Sequence, residues 1–274
     1  MPRRFAQVDV FGSDGGAGNP VAVVLDAEGM GDEEMQRFAN WTNLAETTFV
    51  LPPARPGADY RVRIFTPVLE LPFAGHPTLG TCHAWLEGGG EPAGGEIVQE
   101  CGAGLIRIRR EQGGLAFAAP PMVRSGPASE EDAARVAAAL KVDPDEMLAV
   151  EWVDNGPGWI VGLLESAERV LELRPDRLDF DLGAVGFHPP GSPAAIEVRA
   201  FAPVNGLAME DPVTGSLQAS VAQWLLAKGR LQAPYVASQG GAIGRGGKVF
   251  VSEGDGEVWV GGRAETVIDG KVTL

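Results

Sequence analysis

The chain is written twice. Val62-Arg63-Ile64-Phe65-Thr66-Pro67-Val68 returns as Val198-Arg199-Ala200-Phe201-Ala202-Pro203-Val204. A second pair follows in the same order, His76-Pro77-Thr78-Leu79-Gly80-Thr81 and Asp211-Pro212-Val213-Thr214-Gly215-Ser216, with the spacing between copies changed by one residue. Each copy then runs into an apolar, helix-like stretch, Cys82–Leu86 and Leu217–Leu226. Two ordered matches predict two similar halves built on one plan.

Both halves are rich in short strands. Period-two alternation and β-branched content predict Phe5–Phe11, Val21–Leu25, Thr47–Leu51, Tyr60–Phe65, Glu96–Gln99, Leu105–Ile108 and Leu115–Ala118 in the first. The second is expected to hold Ala149–Val153, Trp159–Leu163, Ile196–Phe201, Lys248–Val251 and Val258–Gly261. Helices are predicted at Asp32–Trp41 and Ser129–Leu140, the latter opened by Ser129-Glu130-Glu131-Asp132, which resembles a capping box. This is an α/β (α+β) chain. The Pro/Gly-rich segment Ala119–Ala128 marks the boundary, giving halves of 1–120 and 121–274, with the last strand able to return to the first half.

Charge narrows the partners. With 37 acidic against 22 basic residues the formal net charge is -15, which opposes nucleic acid and anionic membrane surfaces. No apolar run approaches the ~20 residues of a membrane helix, and the N-terminus lacks a signal-peptide core, so a cytoplasmic protein is expected. Two cysteines, Cys82 and Cys101, and three histidines, His76, His83 and His188, show no metal-ligand spacing. Neither a metal nor an organic cofactor is expected.

Proline is favoured at the first helical position, so His76-Pro77 and Asp211-Pro212 place His76 and Asp211 at helix N-caps. Unpaired backbone N–H groups and the positive end of each helix dipole would follow, ready for a carboxylate. Gly80 and Gly215 cost helix propensity, ~1 kcal/mol each, and so want a reason such as close approach of a ligand or a neighbouring element. Taken singly, Asp211 reads as a helix cap, Ser216 as an ordinary first-turn serine and His76 as a structural histidine. Their recurrence in a duplicated frame gives the functional reading equal standing. Glu46 opens a strand among apolar neighbours; it reads either as an exposed carboxylate or as a partly buried one tuned for proton transfer.

At these residues the chain resembles the PhzF-like (phenazine biosynthesis) isomerase family. The motifs are Gln7-Val8-Asp9-Val10-Phe11 with Gly18-Asn19-Pro20, then Asn43-Leu44-Ala45-Glu46-Thr47, then Phe65-Thr66-Pro67 through Glu70-Leu71-Pro72-Phe73-Ala74-Gly75-His76-Pro77-Thr78. Glu210-Asp211-Pro212-Val213-Thr214-Gly215-Ser216, Gln239-Gly240 and Gly244-Arg245 complete the set. One departure is Gly246-Gly247-Lys248, where many relatives carry Pro-Ser.

The resemblance implies a diaminopimelate-epimerase-like fold, two pseudo-symmetric domains, each a curved mixed sheet wrapped around a central helix. It implies an isomerase that shifts a proton on a small amino- or hydroxy-carboxylate, cyclic in the namesake activity, by acid/base catalysis in an interdomain cleft. Glu46, His76 and Asp211 would be catalytic; Gly75, Gly215 and Ser216 would bind substrate. Relatives often dimerise, so the resemblance extends to a homodimer.

Three alternatives bear comparison. A two-base epimerase on this fold needs one thiol from each half, whereas Cys82 and Cys101 both lie in the first, and Cys82 reads as helix packing. A non-catalytic carboxylate-binding protein would tolerate loss of Glu46, which is present. A nucleotide enzyme is prompted by Gly12-Ser13-Asp14-Gly15-Gly16-Ala17-Gly18, but that stretch lacks Rossmann spacing and a P-loop lysine, and reads as a mobile turn.

Overall fold

The computed structural model describes residues 1–274 and divides the chain into two compact units, 1–118 with 261–274, and 119–260. The first unit opens with β1 (Pro2–Val10), β2 (Asn19–Val24), α1 (Asp32–Thr42), β3 (Glu46–Leu51), β4 (Tyr60–Phe65) and β5 (Glu70–Leu71). It continues through α2 (Gly75–Glu87), β6 (Ile97–Cys101), β7 (Gly104–Glu111) and β8 (Gly114–Ala118). The second unit contains β9 (Arg124–Pro127), α3 (Glu130–Leu140), β10 (Met147–Asp154), β11 (Ile160–Leu164), α4 (Ala167–Glu172) and β12 (Leu182–Phe187). There follow β13 (Ile196–Val204), β14 (Leu207–Asp211), α5 (Gly215–Ala227), β15 (Tyr235–Gln239), β16 (Gly247–Gly254) and β17 (Glu257–Gly262), the last two residues of β17 being counted with the first unit. The last strand, β18 (Ala264–Thr273), pairs antiparallel with β1.

The two units repeat one ladder. In the first, β1–β2 is antiparallel, β2–β3 parallel, β3–β4 and β4–β5 antiparallel, β4–β6 parallel and β6–β7 antiparallel. In the second, β10–β11, β11–β12, β12–β13, β13–β14, β13–β15 and β15–β16 run in the same sequence of senses. The fold is thus the mixed α/β duplication that the sequence implies. Each ladder carries one nearly all-buried helix, α2 or α5, of 13 residues. Helix α2 packs on β1, β2, β3, β8 and β18. Apolar residues on every side suit such an enclosed helix, whereas α1 and α3 are amphipathic and bury one stripe each.

A second layer closes the other face of each sheet. In the first unit Met35, Phe38 and Ala39 of α1 meet Val24, Phe49 and Phe65, with Phe49 edge-on to both Phe38 and Phe65. In the second, Val136 and Leu140 of α3 and Val170 of α4 cover Ile160, Leu164, Leu182 and Phe201.

Several expectations need correction. The central helices begin at Gly75 and Gly215, with Ala74 and Thr214 as N-caps, not at Pro77 and Pro212 with His76 and Asp211 as caps. The matched prolines are also out of register, because the second hairpin is longer. Phe65 pairs with Glu70 across residues 66–69, while Phe201 pairs with Glu210 across residues 202–209, whose turn at Asn205-Gly206 has positive φ at both positions. The structural counterpart of His76 is therefore Ser216, the second helical residue in each case.

Other elements escaped the alternation rule. Strand β12 carries Gly183, where a Cβ would stand 2.9 Å from Leu217 of α5 and 2.8 Å from Val161; the missing side chain lets the central helix approach. Strand β18 is largely exposed and polar, so its ladder with β1 left no apolar alternation to detect. At α3, Ser129 accepts from the Asp132 N–H as expected of a cap, but the Asp132 carboxylate takes the Trp152 indole N–H. The glycine-rich turn is folded down on Asp9, whose carboxylate accepts from the N–H groups of Gly16 and Gly18.

Candidate active site

In the first unit the start of α2 meets the starts of two parallel strands. Glu46 opens β3, opposite Val21 of β2, which begins at Asn19. Buried hydroxyls and an amide fix the helix against the sheet: Thr81 donates to Thr48 at 2.8 Å, and Gln99 to Thr78 at 2.9 Å. Gly80 completes the fit. A Cβ there would lie 2.4 Å from Val21 and 3.0 Å from Val10, so its reason is contact with the sheet.

This register brings His76 and Glu46 together, with Nε2 3.2 Å from Oε2. Both atoms are buried. Burial pushes the His76 imidazole down to about 3, against a weaker upward pull from the Pro20 backbone, so the ring is neutral at ordinary pH. The Asn19 amide nitrogen lies 3.2 Å from Nδ1 and can only donate. Nε2 faces Glu46, while Nδ1 faces Asn19 and the Pro20 carbonyl accepts a hydrogen bond from the ring. Gly75, one residue before His76, is the buried first residue of the helix.

The second unit assembles Asp211, Gly215 and Ser216. Asp211 ends β14, and its carboxylate accepts the Thr214 hydroxyl proton at 2.5 Å. Ser216 Oγ accepts from the Trp159 indole N–H at 3.1 Å, which leaves the serine proton to be donated elsewhere. Its carbonyl accepts from the Asn155 amide. Asp211 and Ser216 thus flank one turn, Glu46 and His76 form one contact, and each pair belongs to its own unit.

Helices α1 and α3 place three acidic residues each in the first turn, while α2 and α5 place none, and neither N-cap side chain bonds a helix N–H. That combination favours an anion at the helix start.

Sequence reasoning missed Asn19, Thr214 and Trp159, although Gly18-Asn19-Pro20 was a visible motif. It also missed Asp181. Leu182 pairs with Phe201 as Thr47 pairs with Phe65, so Asp181 is the second-unit counterpart of Glu46. Burial, helped by Asp154, raises its carboxyl to about 6. The thiols offer no matching pair: Cys82 and Cys101 are buried in the first unit, and burial pushes Cys82 up to about 12. No group of three or more His, Cys, Asp or Glu side chains is arranged to hold a metal ion.

The family model of the phenazine biosynthesis-like proteins, PhzC-PhzF, matches residues 8–270. The chain belongs to this family. It is 36% identical, over 99% of each chain, to the trans-2,3-dihydro-3-hydroxyanthranilate isomerase of Pseudomonas aeruginosa. It is 38% identical, over 97% of each chain, to a Schizosaccharomyces pombe protein named antisense-enhancing sequence 1. Among solved structures, a PhzF-family protein from Bacillus anthracis superposes over the full length of both chains with a TM-score of 0.83 at 22% identity, a likeness of fold. The protein is an isomerase of this family.

Proposed function

We propose that the protein shifts a proton between carbon atoms of a small amino- or hydroxy-carboxylate by general acid/base catalysis, without metal or organic cofactor. The observation that carries this reading is the contact of Glu46 with a buried, neutral His76. Glu46 takes a C–H proton and returns it to a second carbon, which suits a carboxylate that is only partly exposed. His76 acts as a neutral hydrogen-bonding partner beside Glu46 and does not itself become cationic, since burial opposes the charged ring. Asp211 accepts from a substrate amine or hydroxyl. Ser216 and the N–H groups at Gly75 and Gly215 bind carboxylate oxygens. A cyclic substrate like that in the name of the P. aeruginosa relative is the first to test.

The test is NMR in deuterated water. Wild type and Glu46→Gln are mixed in turn with trans-2,3-dihydro-3-hydroxyanthranilate and with a panel of small cyclic and amino carboxylates. Deuterium entering one compound with wild type alone supports the reading. A compound bound, as judged by thermal shift, with no exchange into any compound sinks it in favour of a binding protein.

A further inference from the structure

We infer that Gln239 is a positioning residue that orients Asp211 through the Thr214 hydroxyl; the inference rests on Asp211 serving the reaction proposed above. Gln239 ends β15 and is 1% exposed. Its Oε1 accepts from the Thr214 backbone N–H at 3.1 Å and from Nε2 of Gln218 at 2.9 Å. Its Nε2 donates to the Asp211 carbonyl at 3.1 Å and to the Thr214 hydroxyl oxygen at 3.0 Å. An amide side chain offers two acceptor and two donor positions, so all four are used.

The consequence lies in the hydroxyl. Thr214 Oγ1 has one proton, and with the Gln239 amide donating to its oxygen that proton is directed to Oδ2 of Asp211. Amide, hydroxyl and carboxylate form a chain in which each bond polarises the next. Gln239 therefore holds Asp211 twice, by its backbone carbonyl and by its carboxylate. The surrounding backbone is fitted to the same purpose. Gly240 has φ +89°, and a Cβ there would stand 2.6 Å from the Pro212 carbonyl oxygen. Gly247, in the segment that departs from many relatives, would meet Val213 at 2.3 Å. Residues 211–214 thus lie directly against β15 and β16.

The first unit supplies a control. Gln99 is 0% exposed and also bonds the first turns of its central helix, donating to Thr78 and accepting from Tyr60. Those partners are hydroxyls, so replacing Gln99 removes an equally buried amide without altering a carboxylate.

The experiment uses the full chain and the variants Gln239→Met, Thr214→Val, Thr214→Ser and Gln99→Met, with Asp211→Asn to assign the Asp211 carboxyl ¹³C resonance. At fixed neutral pH that resonance should move in Gln239→Met and Thr214→Val, and stay in place in Thr214→Ser and Gln99→Met. On trans-2,3-dihydro-3-hydroxyanthranilate, kcat should fall roughly 10–100-fold in the first two, the usual scale for sub-ångström to ångström misplacement, and recover in Thr214→Ser. An unmoved resonance in Thr214→Val, which keeps the volume of threonine, overturns the inference whatever the rates. A moved resonance with Asp211→Asn as active as wild type overturns instead the reading of Asp211 as part of the machinery.

Discussion

Nε2 of His76 stands 3.2 Å from Oε2 of Glu46, a short contact between an imidazole held neutral and a carboxylate at the first residue of a strand. The pair joins the N-terminus of a central helix to the sheet beneath it. The Glu46 carboxylate therefore lies beside an imidazole whose charge state does not change with ordinary pH.

Glu46→Gln keeps the shape of the side chain and removes its basicity. Turnover measured by deuterium incorporation should fall roughly 10²–10⁴-fold, the usual worth of a positioned acid–base group. The melting temperature should stay within about 3 °C of wild type, because a partly exposed side chain of equal size is replaced. A rate within threefold of wild type would remove Glu46 from the chemistry.

His76 makes stability depend on pH in a defined direction. The folded ring protonates near 3 and an unfolded histidine near 6.5, so between these values the unfolded chain binds more protons. Its contribution is complete above about pH 6.5 and is lost as pH falls toward 3. Urea midpoints should drop between pH 6.5 and 4.5 by more in wild type than in His76→Gln. Equal slopes in the two proteins would contradict a buried neutral ring.

Asp181 acts with the opposite sign. Its folded carboxyl titrates near 6, above the ordinary value of 3.8, so between these the folded state holds the extra proton. Stability is fully present below about 3.8 and is lost as pH rises through 6. Asp181→Asn should stabilise the protein by about 1–2 kcal/mol at pH 8, discounted for partial exposure, and by nearly nothing at pH 4. Denaturant curves at the two pH values check this.

Gly80→Ala should destabilise by about 1–3 kcal/mol in spite of alanine's better helix propensity, because the added methyl would stand 2.4 Å from Val21. The loss should shrink in a Val21→Ala background, which removes the clashing methyl groups. A stability loss independent of residue 21 would point to some other reason for the glycine.

Much of this protein was legible in the sequence. Alternation and turn residues place most strands of both halves, since a half-buried strand shows its two faces as a period of two. The repeated Val-Arg-x-Phe-x-Pro segments become β4 and β13, at the same place in two identical ladders. The long motif around Gly75-His76 identifies the family and so the candidate residues. Strands β12 and β18 stayed hidden for contrary reasons, one opened by glycine so that a helix can approach, the other polar and exposed.

Register and burial belong to the tertiary structure alone. Matching Asp211 to His76 by the prolines placed both at helix caps, but the extra length of the second hairpin moves α5 on and sets Ser216 opposite His76. No pattern in a linear chain reports that Asp181 answers Glu46, because the equivalence arises from strand pairing across distant segments. Nor does it report a neutral His76 or a Gln239 with four partners, because these depend on which groups the packed sheets and helices remove from water. The sequence determined the residue types and the duplicated plan; folding decided which side chains meet, and with that their protonation.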